Sequence, residues 1–182
     1  MWIENDVVVI RTIREENIEK CVQARKLNRD SFFEPPAEDP ASRRWIEGHR
    51  ESEDDVLLEI VYRPTGAFVG TIGYRVADGT ADIGRLSLYT PELKRLIHGG
   101  ADISSIRSVA LSACRLIEEY LFVCRRVDRA VCEVMEDNRY SNALCQRLGG
   151  VPSPAVRKRS DGSDIRVLRY SMDREQYLHD GA

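Results

Sequence analysis

Three β-rich runs broken by two tight turn signals constrain this chain more than any other feature. They lie in DVLLEIVYRPTGAFVGTIGYRVADGTADIGRLSLYT, where Arg63-Pro64-Thr65-Gly66 and Ala77-Asp78-Gly79-Thr80 carry the residues that reversing turns need. The spacing predicts strands over 56–63, 67–77 and 80–89, paired as an antiparallel meander. Such a meander exposes a row of unpaired backbone at each side, so the rest of the chain has to extend it or cover it.

The flanking segments supply both. Val7 to Ile13 is a β-branched run and predicts a first strand. Ile18, Cys21, Val22 and Leu27 then recur at helical spacing, predicting a helix to about Asn28. SFFEPPAEDP is expected to be a loop, because proline removes a donor and restricts its predecessor. A second helix starts near Pro40, with Trp45 and Ile46 on its buried side. After the meander, Ile106, Val109, Ala110, Ala113, Leu116, Ile117, Tyr120 and Leu121 form one apolar stripe of a long helix. VDRAVCEVME reads as a fifth strand, a fourth helix follows, and the chain closes as a hairpin around Asp161-Gly162.

The order β-α-α-β-β-β-α-β-α-β-β gives an α+β fold: a mostly antiparallel sheet of about seven strands flanked by about four helices, in a single domain spanning 1–182. The step from the meander's last strand through the long helix to the fifth strand calls for a right-handed crossover between parallel strands. Two parallel neighbours in an otherwise antiparallel sheet leave a place where strands can splay and admit a ligand.

Composition narrows the function classes. Net charge is −3, with 27 basic against 30 acidic residues, so no global field draws the chain to nucleic acid or an anionic membrane. Cys21, Cys114, Cys124, Cys132 and Cys145 form an odd set without a CxxC pair, which argues against a disulfide framework and a zinc site. No run approaches the roughly 20 apolar residues that span a bilayer, and the N-terminus lacks a signal-peptide pattern. A cytoplasmic protein without a bound metal is expected.

EDNRYSNALCQRLGG, with the long helix ALSACRLIEEYLF and the strand IGRLSL, resembles the GNAT acyltransferase superfamily, nearest the branch of ribosomal-protein N-terminal and small-amine acetyltransferases. The branch pattern Asn-x-x-Ser-x-x-aliphatic-x-x-x-Leu-Gly falls on Asn138, Ser141, Leu144, Leu148 and Gly149. The resemblance implies that acetyl-CoA lies between the fourth and fifth strands, pairing with backbone at Leu86, Ser87 and Leu88 and bonded by Asn138. Read from residue type alone, Asn138 is a helix N-cap, and the two roles are compatible.

The family's phosphate-binding signature falls on Ser105 to Ala110. Ser105, Arg107, Ser108, Val109 and Ala110 are then the cofactor contacts, although only Ala110 conforms. Arg95 to Ala101 is a second candidate, and otherwise residues 91–103 form an insertion over the cleft. Cys145 stands where many relatives carry a tyrosine acid. Ser141 and Cys145 are therefore candidate proton donors to the departing thiolate, Cys145 also reading as a small buried core residue. Candidate bases are Glu133, Asp82 and His98. Phe32, Phe33 and Glu34, with Glu38, Asp39 and His98, are expected to line an acceptor site suited to a cationic amine. The implied reaction is acetyl transfer to a small primary amine such as an amino sugar. The alternatives are a protein N-terminal acetyltransferase and a GNAT-fold binding protein without catalysis. A homodimer through the final hairpin is also expected.

Overall fold

The computed structural model describes the chain except residues 35–37 and 181–182; Pro35 and Pro36 of the expected loop therefore lie outside the described residues. In chain order the elements are β1 (Trp2–Glu4), β2 (Val8–Thr12), α1 (Ile18–Leu27), α2 (Asp39–Arg50), β3 (Asp55–Tyr62), β4 (Ala67–Ala77) and β5 (Thr80–Leu88). Then come α3 (Thr90–His98), α4 (Ile103–Glu119), β6 (Arg129–Met135), α5 (Arg139–Arg147), β7 (Val151–Lys158), β8 (Asp164–Asp173) and α6 (Arg174–Asp180). The strands form one sheet in the order β1-β2-β3-β4-β5-β6-β8-β7. Every neighbouring pair is antiparallel except β5 and β6, the parallel pair predicted by the crossover through α4.

Both faces of the sheet are covered. On one, the α4 stripe of Ile106, Val109, Ala113, Ile117 and Leu121 packs on Val8, Ile10, Leu58, Ile60, Ile72 and Ala81. Each such aliphatic side chain contributes about 1.5–3 kcal/mol when fully buried. On the other, α1 and α2 bring Ile18, Cys21, Val22 and Ile46 against Leu57 and Phe68. Because β3 is buried on both faces, it reads as a continuous apolar run broken by one acid. That acid, Glu59, is fully buried; it accepts from Arg11 Nε at 2.6 Å, Asn17 Nδ2 at 2.8 Å and Arg14 N at 3.2 Å.

Two departures from expectation concern the strand count and the insertion. The described residues hold eight strands, since the short β1 pairs with β2 ahead of the expected first strand. Residues 91–103 do not lie over the cleft. Most of them form α3, which opens with Pro91 in its first turn, where proline is tolerated, and buries Leu96. His98 ends that helix exposed and does not line the cavity at the sheet's splay.

Candidate active-site cleft

The parallel pair β5–β6 holds together over three positions only, Thr80↔Arg129, Ala81↔Ala130 and Asp82↔Val131. Beyond them the strands part, and a cavity of about 330 Å³ opens through the sheet. A bulge in β5 shapes its wall. Between the pairs Thr71↔Ser87 and Gly73↔Gly84, two β5 residues, Arg85 and Leu86, face Ile72 alone. Arg85 takes φ = +57°, a left-handed conformation costing on the order of 1–3 kcal/mol for a non-glycine residue. Its side chain ion-pairs with Asp55 and donates to the Val56 carbonyl at 3.4 Å. Glycine is required opposite: a Cβ on Gly73 would sit 2.5 Å from the Val56 oxygen and 3.0 Å from Arg85 Cδ.

On the α4–α5 side the wall is thiol-rich. Cys114 and Glu118, one turn apart on α4, face Cys132 of β6 and Leu144 and Cys145 of α5. Cys145 Sγ lies 3.9 Å from Cys132 Sγ. That contact, with burial, holds the Cys132 thiol well above its ordinary pKa, and the same contact draws Cys145 down. Burial pushes the Glu118 carboxyl up to about 7, against a small opposing effect of Arg115. Asn138 caps α5, its side-chain oxygen accepting from Ser141 N at 3.1 Å, and both residues line the cavity. Asn142 fixes this corner by donating to the carbonyls of Met135 and Glu136 at 3.0 and 3.2 Å, while Tyr170 Oη donates to its Oδ1 at 3.0 Å.

The opposite side, beneath α1 and α2, is charged. Asp82 faces Arg75 across the β4–β5 register. Burial raises its pKa, and Arg75 only partly opposes that. Glu133 accepts from Arg157 Nη1 at 2.9 Å and from Arg169 Nε and Nη2 at 2.9 and 2.5 Å. Burial alone would raise its pKa, but the two guanidiniums outweigh it and hold the carboxylate below its ordinary value. Phe32 and Phe33 roof this side. The roof is clasped to the β7–β8 turn: Arg159 Nε donates to the Phe33 carbonyl at 3.1 Å, and Ser160 N and Oγ donate to Glu34 at 2.6 and 2.8 Å.

A family model described as Acetyltransferase (GNAT) domain matches residues 8–151. This chain belongs to the GNAT acetyltransferase family. Its fold is shared by GNAT structures of low sequence identity. A GCN5-related N-acetyltransferase from Brucella melitensis superposes with TM-score 0.74 at 16% identity, over 98% of this chain and 80% of that one. A GNAT-family acetyltransferase from Bacillus anthracis gives TM-score 0.76 at 14% identity, over 96% and 99%. A nucleotide-linked sugar GNAT gives 0.71 at 14%, over 99% and 94%. No curated protein matches the chain by sequence.

The cleft gathers only part of the residue set expected of a GNAT site. Leu86, Glu133, Asn138, Ser141, Cys145, Phe32 and Phe33 line it. Ser87 and Leu88 do not: Ser87 is buried against α1, donating to the Ala24 carbonyl at 2.9 Å, and the Leu88 carbonyl accepts from Asn28 Nδ2 at 3.0 Å. Glu34 is turned away into the clasp, and Asp39 pairs with Lys26 at 2.6 Å. Glu38 is exposed and lines no part of the cleft.

The stretch Ser105 to Ala110 is no glycine-like loop but the first turns of α4. Val109 and Ala110 are core residues, Ser105 Oγ accepts from Tyr62 Oη at 3.2 Å, Ser108 Oγ donates to the Ser105 carbonyl, and Arg107 is exposed. The α4 N-terminus already carries an anion, because Asp102 caps it, accepting from Ser105 N at 2.8 Å and Ser104 N at 3.4 Å. The Arg95 to Ala101 candidate is the end of α3, closed by Gly99 and by Gly100 at φ = +86°. Sequence reasoning missed Glu118, Cys114, Arg75 and Arg85. The one signal for the first two was their i, i+4 spacing beside the α4 stripe.

Proposed function

We propose that this protein transfers an acetyl group from acetyl-CoA to the primary amine of a small molecule. The observation that supports it most is the splay of β5 and β6, which opens a through-sheet cleft with thiols on one side and a carboxylate of raised pKa on the other. The pantetheine arm fits along Leu86, with Asn138 and Ser141 at its flank. The unpaired edges of the two strands are free to hydrogen-bond it there.

Asp82 is the base in this reading. Its raised pKa makes it a better proton acceptor than Glu133, whose carboxylate is committed to two arginines and positions the wall instead. The amine, relieved of its proton at Asp82, attacks the thioester carbonyl, and the carbon–sulfur bond breaks. The departing thiolate takes a proton from Ser141 or Cys145, and Glu118, half protonated near neutral pH, restores it. The roof formed by Phe32 and Phe33 favours a small acceptor over a protein N-terminus, which needs an open groove. Free cysteines among the described residues fit a cytoplasmic setting. In a homodimer the exposed Val151 and Val156 of the edge strand β7 would meet a second copy.

A second reading, a GNAT-fold binding protein without catalysis, is favoured by Asp102, whose carboxylate stands where a phosphate would dock. Calorimetry with acetyl-CoA separates the two. Micromolar binding weakened by Asn138→Ala, followed by acetylation of a small-amine panel, supports the transferase. Absence of binding at millimolar acetyl-CoA rejects it.

A further inference from the structure

Arg25 is a cation that the acyl-transfer site leaves unanswered. It projects from α1 between two aromatic rings, its guanidinium carbon 4.0 Å from the Trp45 centroid and 4.7 Å from that of Phe32. Its Nε is shut off from water with no hydrogen-bond partner, and no ion pair reaches the side chain among the described residues. Arg85 approaches the Trp45 ring as well, at 5.4 Å. Two guanidiniums thus share one indole; Asp55 pairs with Arg85 and also lies 3.6 Å from His49 Nε2, and it does not reach Arg25. Burial and the charge of Arg85 together press the Arg25 pKa down to about 10, with no carboxylate opposing them. Stacking on aromatic faces meets none of the five N–H donors of a guanidinium. A partly desolvated, unpaired cation beside a second one is a standing cost, relieved when an anion docks against the pair.

The position gives that anion a purpose. Arg85 lines the cleft and acts electrostatically on Asp82, while Phe32 both lines the cleft and covers Arg25. On this wall stand a carboxylate suited to an ammonium and the Arg85 guanidinium suited to an anion, with the Arg25 guanidinium behind Phe32, outside the cleft lining itself. We infer that the acceptor is an amine that also carries a carboxylate or phosphate, held by Arg85 and Arg25 while its amino group meets Asp82. This rests on the acyl-transfer reading above and replaces the simple cationic amine expected from Phe32, Phe33 and Glu34.

Matched acceptors test it: an amino acid against its amide, and an amino sugar phosphate against the free amino sugar. Which pair responds distinguishes carboxylate from phosphate. The anionic member is expected to show kcat/KM at least 10-fold higher. Arg25→Met, which keeps an apolar stem between the rings, is expected to raise KM for that member 10-fold or more. It leaves kcat and the neutral member within 2-fold, and Arg25→Lys recovers part of the loss. Equal kcat/KM within both pairs, or an Arg25→Met defect equal for both members, overturns the inference and leaves the transferase reading intact. Calorimetry of the same ligands without acetyl-CoA provides a readout independent of turnover. Anion-selective binding lost in Arg25→Met, with no acetylation of any amine, sustains the anion site and rejects the transferase. Neither binding nor turnover rejects both.

Discussion

At the scale of single residues, two carboxyls of raised pKa divide the cleft. In the proposed mechanism Asp82 works as a base only when ionised. Activity should therefore rise with pH through a limb above the ordinary aspartate range, and Asp82→Asn should lower kcat about 10²-fold or more while acetyl-CoA binding stays within 2-fold. An unchanged kcat in Asp82→Asn moves the base elsewhere. Glu118 makes a second, separable prediction. Its folded pKa, about 7, lies above that of an unfolded glutamate, so its contribution to stability is complete below about pH 4.5 and is lost as pH rises through 7. Glu118→Gln, which cannot ionise, should stabilise the protein by about 3 kcal/mol at pH 8 and by no more than about 1 kcal/mol at pH 5. Urea unfolding at the two pH values reads the difference, and a pH-independent effect would contradict it. Asp82 is legible in the sequence as a candidate base, but neither raised pKa is, because a side chain's pKa depends on what is folded against it.

At the scale of elements, the turn residues and the apolar periods placed β3, β4, β5 and α4 to within a residue or two. What escaped them was set by contacts between elements. The β5 bulge depends on Gly73 opposite Arg85, and residues 91–103 read as an insertion because placing the phosphate-binding signature on Ser105 to Ala110 leaves them outside the family pattern, whereas most of them form α3. The single acid in the apolar run of β3 turns out to be a junction. Glu59 ties β2, α1's entrance and β3 together, so Glu59→Ala, leaving Arg11 and Asn17 without their acceptor, should cost about 3–5 kcal/mol in urea unfolding. The α4 cap offers a test of a different kind. Asp102→Ser retains a capping oxygen but removes the negative charge, so helix stability should change little. Acetyl-CoA affinity should rise several-fold if its phosphates approach this helix end, as calorimetry will show.

At the scale of the whole molecule, the site is assembled from distant parts of the chain. Phe33 and Arg159, and Glu34 and Ser160, are each 126 residues apart, yet their contacts hold the roof of the acceptor side. Hydrogen bonds from the Ser160 amide and hydroxyl hold the Glu34 carboxyl below its ordinary pKa, so the clasp is complete above about pH 4.5 and is lost as pH falls below it. Glu34→Ala should raise KM for the acceptor several-fold without changing KM for acetyl-CoA; equal effects on both would mean that the roof does not belong to the acceptor side. By itself the sequence determined the order of the elements apart from β1, α3 and α6, together with the meander, the parallel crossover and the family pattern around Asn138. Those follow from local turn chemistry, hydrophobic period and chain connectivity, which act over a few residues at a time. Only the tertiary structure decided that β5 and β6 part after Asp82, that Glu133 is spent on two arginines and that Arg25 is left without a partner. Charge pairing and desolvation are properties of neighbours in space, and the neighbours of Arg25, at Trp45 and Arg85, lie 20 and 60 positions along the chain from it.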